Sequence, residues 1–162
     1  NPIAHVASRG SARFYSVIFS KGDSYFDTGA RVILKGENAS GEIISRVVSE
    51  GGTVISRQLL SGEQAGTFGH MECSGLLLNE NGVIHSIPEL KGAHPDINLA
   101  HEAAVGKISR EELSYLMTRG LTEEQARSLI IRGFLDIKIE GLPEKVQSFM
   151  NEIINRSVEG SI

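Results

Sequence analysis

"ECSGLLLNENGVIHSI", residues 72–87, holds the clue to how this chain folds. Leu76, Leu77 and Leu78 form an unbroken apolar run, Asn79-Glu80-Asn81-Gly82 interrupts it, and a β-rich run resumes at Val83. A strand with one wet face alternates apolar and polar residues, so an unbroken run fits a strand covered on both faces, as parallel sheets require. "NENG" is the nearest thing to a hairpin turn, but the strands beside it do not alternate as hairpin strands do.

The same grammar runs outward from this stretch in both directions. "ARFYSVIFS", "RVILKG", "EIISRVVS", "TVISRQLL", "SGLLLN", "GVIHSI" and "DINLAH" are short β-rich runs. "SKGD", "KGENASG", "SEGG", "SGEQ", "NENG" and "KGAHPD" separate them with turn chemistry. Turns at such short intervals suggest a sandwich, a barrel or a β-solenoid. The unbroken runs "VIL" and "LLL" favour the solenoid, with a sandwich as the alternative. Residues 1–108 hold 14 of the 18 glycines, which divides the chain into a strand-rich region and a helical one, 109–162.

The helical region is punctuated by caps. Ser109 and Glu112, then Thr122 and Gln125, have capping-box spacing. Gly120 suits the position after a helix end, and Pro143 the start of another helix. Helices are predicted at 109–118, 122–136 and 143–156. Their apolar stripes are Leu113, Leu116 and Met117; Ala126, Leu129, Ile130 and Phe134; and Val146, Phe149, Met150 and Ile153. The first pair superficially resembles a helix-turn-helix DNA reader, but Glu123-Glu124 at the start of its second helix would repel phosphates.

Bulk properties exclude further classes. The chain has 162 residues, enough for one core with a small appendage. Its net charge of −4 and lack of any basic block argue against a nucleic-acid partner. No apolar run is long enough to span a bilayer, so no membrane association is expected. "NPIAHVASRG" has neither the basic nor the apolar part of a signal peptide, and the missing Met suggests a piece of a longer protein. A single Cys fits a reducing compartment, and the cytoplasm is the expected location. There is no P-loop and no G-x-S-x-G elbow.

The chemistry-bearing candidates are few. His70 and Cys73 form an H-x-x-C, a spacing also met in metal sites, though one pair is not a site. His85 and His94 lie in turn-like contexts and read as surface residues. Cys73 and His101 are 28 residues apart, so in a solenoid with coils near that length they would sit on nearby rungs, about 4.8 Å apart. Thiolate, imidazole and the neighbouring carboxylate of Glu102 together would suit iron. Strand alternation sends His101 and Glu102 to opposite faces unless the strand ends there.

"FDTGARVILKGENASGEIISR", "ECSGLLL", "LAHEAAVGKI" and "LMTRGLTEEQARSLIIRGFL" together resemble the C-terminal portion of the SufB/SufD iron–sulfur cluster assembly scaffolds. The similarity runs from about Gly10 to Phe149. It implies a right-handed parallel β-helix followed by a small helical subdomain, and a longer parent protein. It implies an ABC-type ATPase docked on the C-terminal helices and a homodimer or heterodimer with a paralogous scaffold subunit through the β-helix. A cysteine desulfurase system is the implied sulfur source.

The resemblance also implies roles for residues. Counted from the "HEA" motif, the SufB branch's Cys and Glu fall on Cys73 and Glu102, and the SufD branch's His falls on His101. These three are the expected ligands of a transient iron–sulfur cluster. Ser74 stands where the SufB branch usually has Asp, and "ISRQLLSG" departs from its Arg-Gly, so the branch stays open, a member serving both roles included. The leading expectation is a non-enzymatic scaffold that builds and releases a nascent cluster. Two alternatives are a purely architectural dimerisation subunit and a β-helix carbohydrate-active enzyme. The latter fits poorly, because there is no Trp and most carboxylates lie in turns and helices.

Overall fold

Each Gly-rich turn of the first region returns the chain so that strands stack on strands of the same direction. The computed structural model describes residues 1–137, 139 and 141–159. Positions 138, 140 and 160–162 of the expected helical region therefore lie outside the described residues. Eight strands run β1 (Ile3–Val6), β2 (Ser11–Ser20), β3 (Tyr25–Leu34), β4 (Ser40–Ser49), β5 (Gly52–Gly62), β6 (Thr67–Leu77), β7 (Gly82–Gly92) and β8 (Ile97–Lys107). Odd strands form one parallel sheet in the order β1-β3-β5-β7, and even strands form another, β2-β4-β6-β8. This is the parallel β-solenoid, about four turns long, with two strands per turn. The sandwich alternative is excluded, since every pairing is parallel.

The coil length is not constant. Ser45 pairs with Cys73, and Cys73 pairs with Ala103. The last coil is thus two residues longer than the one before it. The extra residues sit in the corner after β6, where Leu78–Asn81 replace the two-residue corner Glu50-Gly51 after β4.

Between the sheets, alternate side chains point inward. Val32, Leu34, Ile43, Leu60, Met71 and Cys73 form the central cluster. Gly69 lies on β6 where a Cβ would come within 2.6 Å of Leu60 Cδ2 and 2.9 Å of Leu99 Cδ2, so its missing side chain makes room for the leucines. "SGLLLN" turns out to be only the end of β6, which begins at Thr67 and places Cys73 in mid-strand.

Three helices follow: α1 (Arg110–Thr118), α2 (Glu123–Leu135) and α3 (Glu144–Glu159). Thr122 and Gln125 make the reciprocal capping box. At α1, Ser109 caps the amides of Glu111 and Glu112, while its hydroxyl donates to the Glu111 carboxylate. Gly120 has φ +94°, the left-handed value that ends α1.

The buried stripes differ from those expected. Ala126, Ile131 and Leu135 are the buried residues of α2, whereas Leu129 is exposed. Met117, Val146, Phe149 and Ile153 are exposed too. Leu113 and Ala126 are buried as expected, but burial in α2 and α3 moves on to Ile131, Leu135 and Val158 and leaves Leu129, Val146, Phe149 and Ile153 outside. Ile131, Leu135 and Val158 close over Val48 and Leu76 on the outer face of the even sheet, with Phe19, Leu78 and Ile154 at the margin. Leu76–Leu78 is therefore covered on both faces, as its unbroken apolar character required. Arg46 ties the two regions together, pairing with Glu72 while its guanidinium lies 5.7 Å from the Phe134 ring centroid. Among the described residues, no helix is long and apolar enough to cross a membrane.

Candidate functional site

Cys73 sits at the centre of β6 and points inward, only 4% exposed. Its pairing partners on either side are Ser45 and Ala103. Alternation turns His70 to the opposite face of β6, so the H-x-x-C is not a ligand pair in this strand. His85 lies within β7 rather than in a turn, on its exposed face. His94 is an exposed turn residue whose Nδ1 accepts from the Asp96 amide at 3.0 Å.

His101 and Glu102 point in opposite directions from β8. His101 pairs with Met71 and shares the inward face with Leu99. Its Nε2 is buried and has no hydrogen-bond partner among the described residues. Glu102 faces outward, exposed, at the register position of Glu72. Glu72 itself pairs with Arg46 and accepts from the Ser74 hydroxyl at 3.1 Å. Cys73 and His101 thus share the interior, while Glu102 lies on the outer surface. Among the described residues, no three His, Cys, Asp or Glu side chains converge on a point where one metal ion could sit.

The interior around Cys73 is polar in a way the sequence motifs did not flag. Along the even sheet Ser16, Ser45 and Cys73 occupy one register column, and Ser16 Oγ donates to Ser45 Oγ at 3.0 Å. On the odd sheet Thr28, Ser56 and Ser86 form another column. Gln58, two residues beyond Ser56 on β5, is buried, and its Oε1 accepts from the Cys73 thiol at 3.0 Å. Its Nε2 donates to Ser56 Oγ at 3.1 Å. A cavity of about 10 Å³, room for one water at most, opens between Ser45, Ser56, Cys73 and Ser86, with Ile84 and Val105 on its apolar side. Buried polar groups cost stability unless paired, so a polar layer through an apolar core points to a task other than packing. The sequence signal was the recurrence of small polar residues at inward positions one coil apart.

Burial pushes the Cys73 thiol above its ordinary 9.0. The Ser86 hydroxyl beside the sulfur draws it back, and the Glu72 carboxylate adds a smaller upward push. A lowered value, the condition expected for a reactive thiol, is not what this strand creates. The folded chain by itself holds Cys73 as a neutral thiol, and a bound metal or a partner's cation would have to supply the opposite push.

The last coil is one of the two ends of the solenoid, as β1 and β2 are at the other. β7 and β8 each have a neighbour on one side only. Leu90 and Val105 are exposed there, and His101 lies between the open coil and Met71.

Comparison with known proteins bears directly on this arrangement. The family described as "SUF system FeS cluster assembly, SufBD core domain" matches residues 2–134. An iron-sulfur cluster assembly SufBD family protein of Archaeoglobus fulgidus is 47% identical over 158 residues, 98% of this chain and 42% of that protein. Counterparts from Methanothermobacter thermautotrophicus and Pyrococcus horikoshii are 44% and 37% identical, covering 91% and 99% of this chain. Each of those two is matched over 36% of its own length, so the chain spans well under half of these relatives.

Proposed function

This chain belongs to the SufBD core family of the SUF iron–sulfur assembly system, and from that premise we propose that it is a non-enzymatic scaffold on which a nascent cluster is assembled and then released. Family membership supports a role in iron–sulfur cluster assembly. The observation that carries the finer reading is Cys73, the single thiol of the chain, held in a polar interior layer one coil from the solenoid's open end.

In this reading Cys73 receives sulfur, and His101 and Glu102 contribute imidazole and carboxylate to iron. Sulfur arrives from a cysteine desulfurase system by exchange. The Cys73 thiolate attacks the sulfane sulfur of a donor persulfide, the donor thiolate leaves, and a Cys73 persulfide remains. Its later release as sulfide takes two electrons from an external reductant. One thiolate per chain falls short of the four that usually hold a [4Fe–4S] cluster. The unpaired edges of β7 and β8 invite a second β-helix, either an identical chain or a paralogue, whose ligands would complete the set. Such a seam would also reconcile the outward Glu102 with the inward His101, since each would serve a different side of the joint. Imidazole and carboxylate hold cluster iron less tightly than thiolate does, so a set that includes them suits a transient cargo.

The helices supply the other surface. Leu129, Val146, Phe149 and Ile153 are exposed, while Ala126, Ile131, Leu135 and Val158 are buried. An apolar helical face of this kind fits a groove of an ABC-type ATPase partner, and the cytoplasm is where such a complex would work. The architectural alternative draws on the burial and raised pKa of Cys73, which would keep the thiol inert. Anaerobic reconstitution of the full-length protein with iron and sulfide, read by visible absorbance and metal analysis, separates the two. Cluster loading that depends on Cys73 supports the scaffold, and no loading of the dimer leaves the architectural subunit.

A further inference from the structure

The thiol of Cys73 is held by one side chain with no charge of its own. Gln58 is only 3% exposed and accepts from the sulfur at 3.0 Å while donating to Ser56 Oγ at 3.1 Å. A carboxamide is an acceptor at one end and a donor at the other, and a hydroxyl can act as either. The pair therefore has two complete hydrogen-bonding arrangements. In one, S–H donates to Oε1 and Nε2 donates to Ser56, as observed. In the other, the amide is turned over, Nε2 donates to the sulfur and Ser56 donates to Oε1.

The second arrangement suits a sulfur that has exchanged its hydrogen for another sulfur or for iron, because such a sulfur accepts and no longer donates. A fixed acceptor would oppose it. A second donor is already in place: the buried Ser86 hydroxyl stands beside the sulfur, bonds no other group among the described residues, and lines the small cavity together with Ser56.

We propose that Gln58 is the positioning residue of Cys73, its carboxamide aiming the free thiol into the polar layer and turning over, with Ser56, to hold the sulfur once its hydrogen has been replaced. Ser86 is the second donor to the sulfur in that state. This deepens the scaffold reading and rests on it for its purpose, but the hydrogen bond itself does not depend on that reading.

The test exploits the single cysteine, which gives the protein a single S–H stretching band in the Raman spectrum. In the full-length protein the sulfur environment is compared among wild type, Gln58→Met, which keeps the volume and removes the carboxamide, and Gln58→Glu, whose neutral acid form restores an acceptor. Any cysteine elsewhere in the parent chain is replaced by Ala beforehand. Gln58→Met is expected to move the S–H band to the position of a free thiol, and Gln58→Glu to bring it back toward wild type. Anaerobic iron and sulfide loading is expected to fall by roughly tenfold in Gln58→Met, as loss of a ligand's supporting partner does at metal sites, and to recover in part in Gln58→Glu. Ser56→Ala, a smaller change, is expected to shift the band in the same direction and covers the case in which Gln58→Met does not fold. An unmoved band in the folded variants would overturn the hydrogen bond, and a moved band with unchanged loading would overturn its positioning role. Full loading by Cys73→Ser is a different result, which removes Cys73 from the site and leaves the band to report on Gln58 alone.

Discussion

His101 stands opposite Met71, not opposite Cys73. The 28 residues that separate Cys73 from His101 match the coil that joins Ser45 to Cys73, but the following coil places Ala103 beside the thiol. At about 3.3 Å per residue along a strand and 4.8 Å between strands, the Cα atoms of Cys73 and His101 are about 8 Å apart. They share one interior and one strand pair, but a single metal ion would have to draw them together.

Cys73→Ser is expected to abolish iron and sulfide loading while costing little stability. The serine hydroxyl can still donate to Gln58 Oε1, so the loss is that of sulfur packing, about 1 kcal/mol. In a chain of this size that lowers the melting temperature by about 2–4 °C. His101→Ala and Glu102→Ala are expected to lose part of the loading. Full loading by the serine variant, measured by metal analysis, would remove Cys73 from the site.

Stability should fall on the alkaline side through Cys73. Its folded-state pKa lies above 9.0, so between that value and the folded one the native protein keeps a proton that the unfolded chain releases. Stability from this group is complete below pH 9 and drains away as the pH rises above it. Melting curves between pH 7 and pH 10.5 are expected to converge less steeply downward for Cys73→Ala than for wild type. Parallel curves would mean the thiol is not held neutral by the fold.

Leu135→Ala should loosen the helices from the sheet. Leu135 is almost fully buried against Val48, Leu76, Ile131 and Val158. Truncation of such a side chain costs about 3 kcal/mol, a fall of about 6–12 °C in melting temperature. Limited proteolysis should then cut near residues 107–110, between β8 and α1. Resistance equal to wild type would show that the helices are held elsewhere.

At the open end, Val105→Arg puts a charge beside the free edge of β8, where Val105 is 48% exposed. A β-helix dimer seam at this end should be broken, giving monomers by light scattering at tens of micromolar. The melting temperature of the monomer should fall slightly, and iron and sulfide loading with it, since Val105 also lines the cavity beside Cys73. Persisting dimers would move the seam away from β7 and β8.

Phe149→Glu addresses the helical surface. Phe149 is 61% exposed on α3. Binding to the proposed ATPase partner, measured by calorimetry, is expected to weaken by roughly tenfold or more, the loss of one buried aromatic anchor, with the circular dichroism spectrum unchanged. Unaltered binding would place the ATPase on the β-helix.

The sequence alone determined the kinds of element and their order. Unbroken runs such as Leu76–Leu78, Gly-rich corners and the capping residues Ser109 and Thr122 act through neighbours a few residues away, so they can be read without knowing the rest of the chain. Alternation likewise foretold that His101 and Glu102 would part. Only the tertiary structure decided the register, because that depends on corner lengths summed around a whole coil. The two residues added in Leu78–Asn81 shift every partner of β6, and set Ala103 rather than His101 beside Cys73. The same holds for the polar layer of Ser45, Ser56, Gln58 and Ser86, which are scattered in sequence and meet only because the coils stack. It holds too for the helices, where contact with Val48 and Leu76 decides that Ile131, Leu135 and Val158 are buried while Leu129 and Phe149 stay in water.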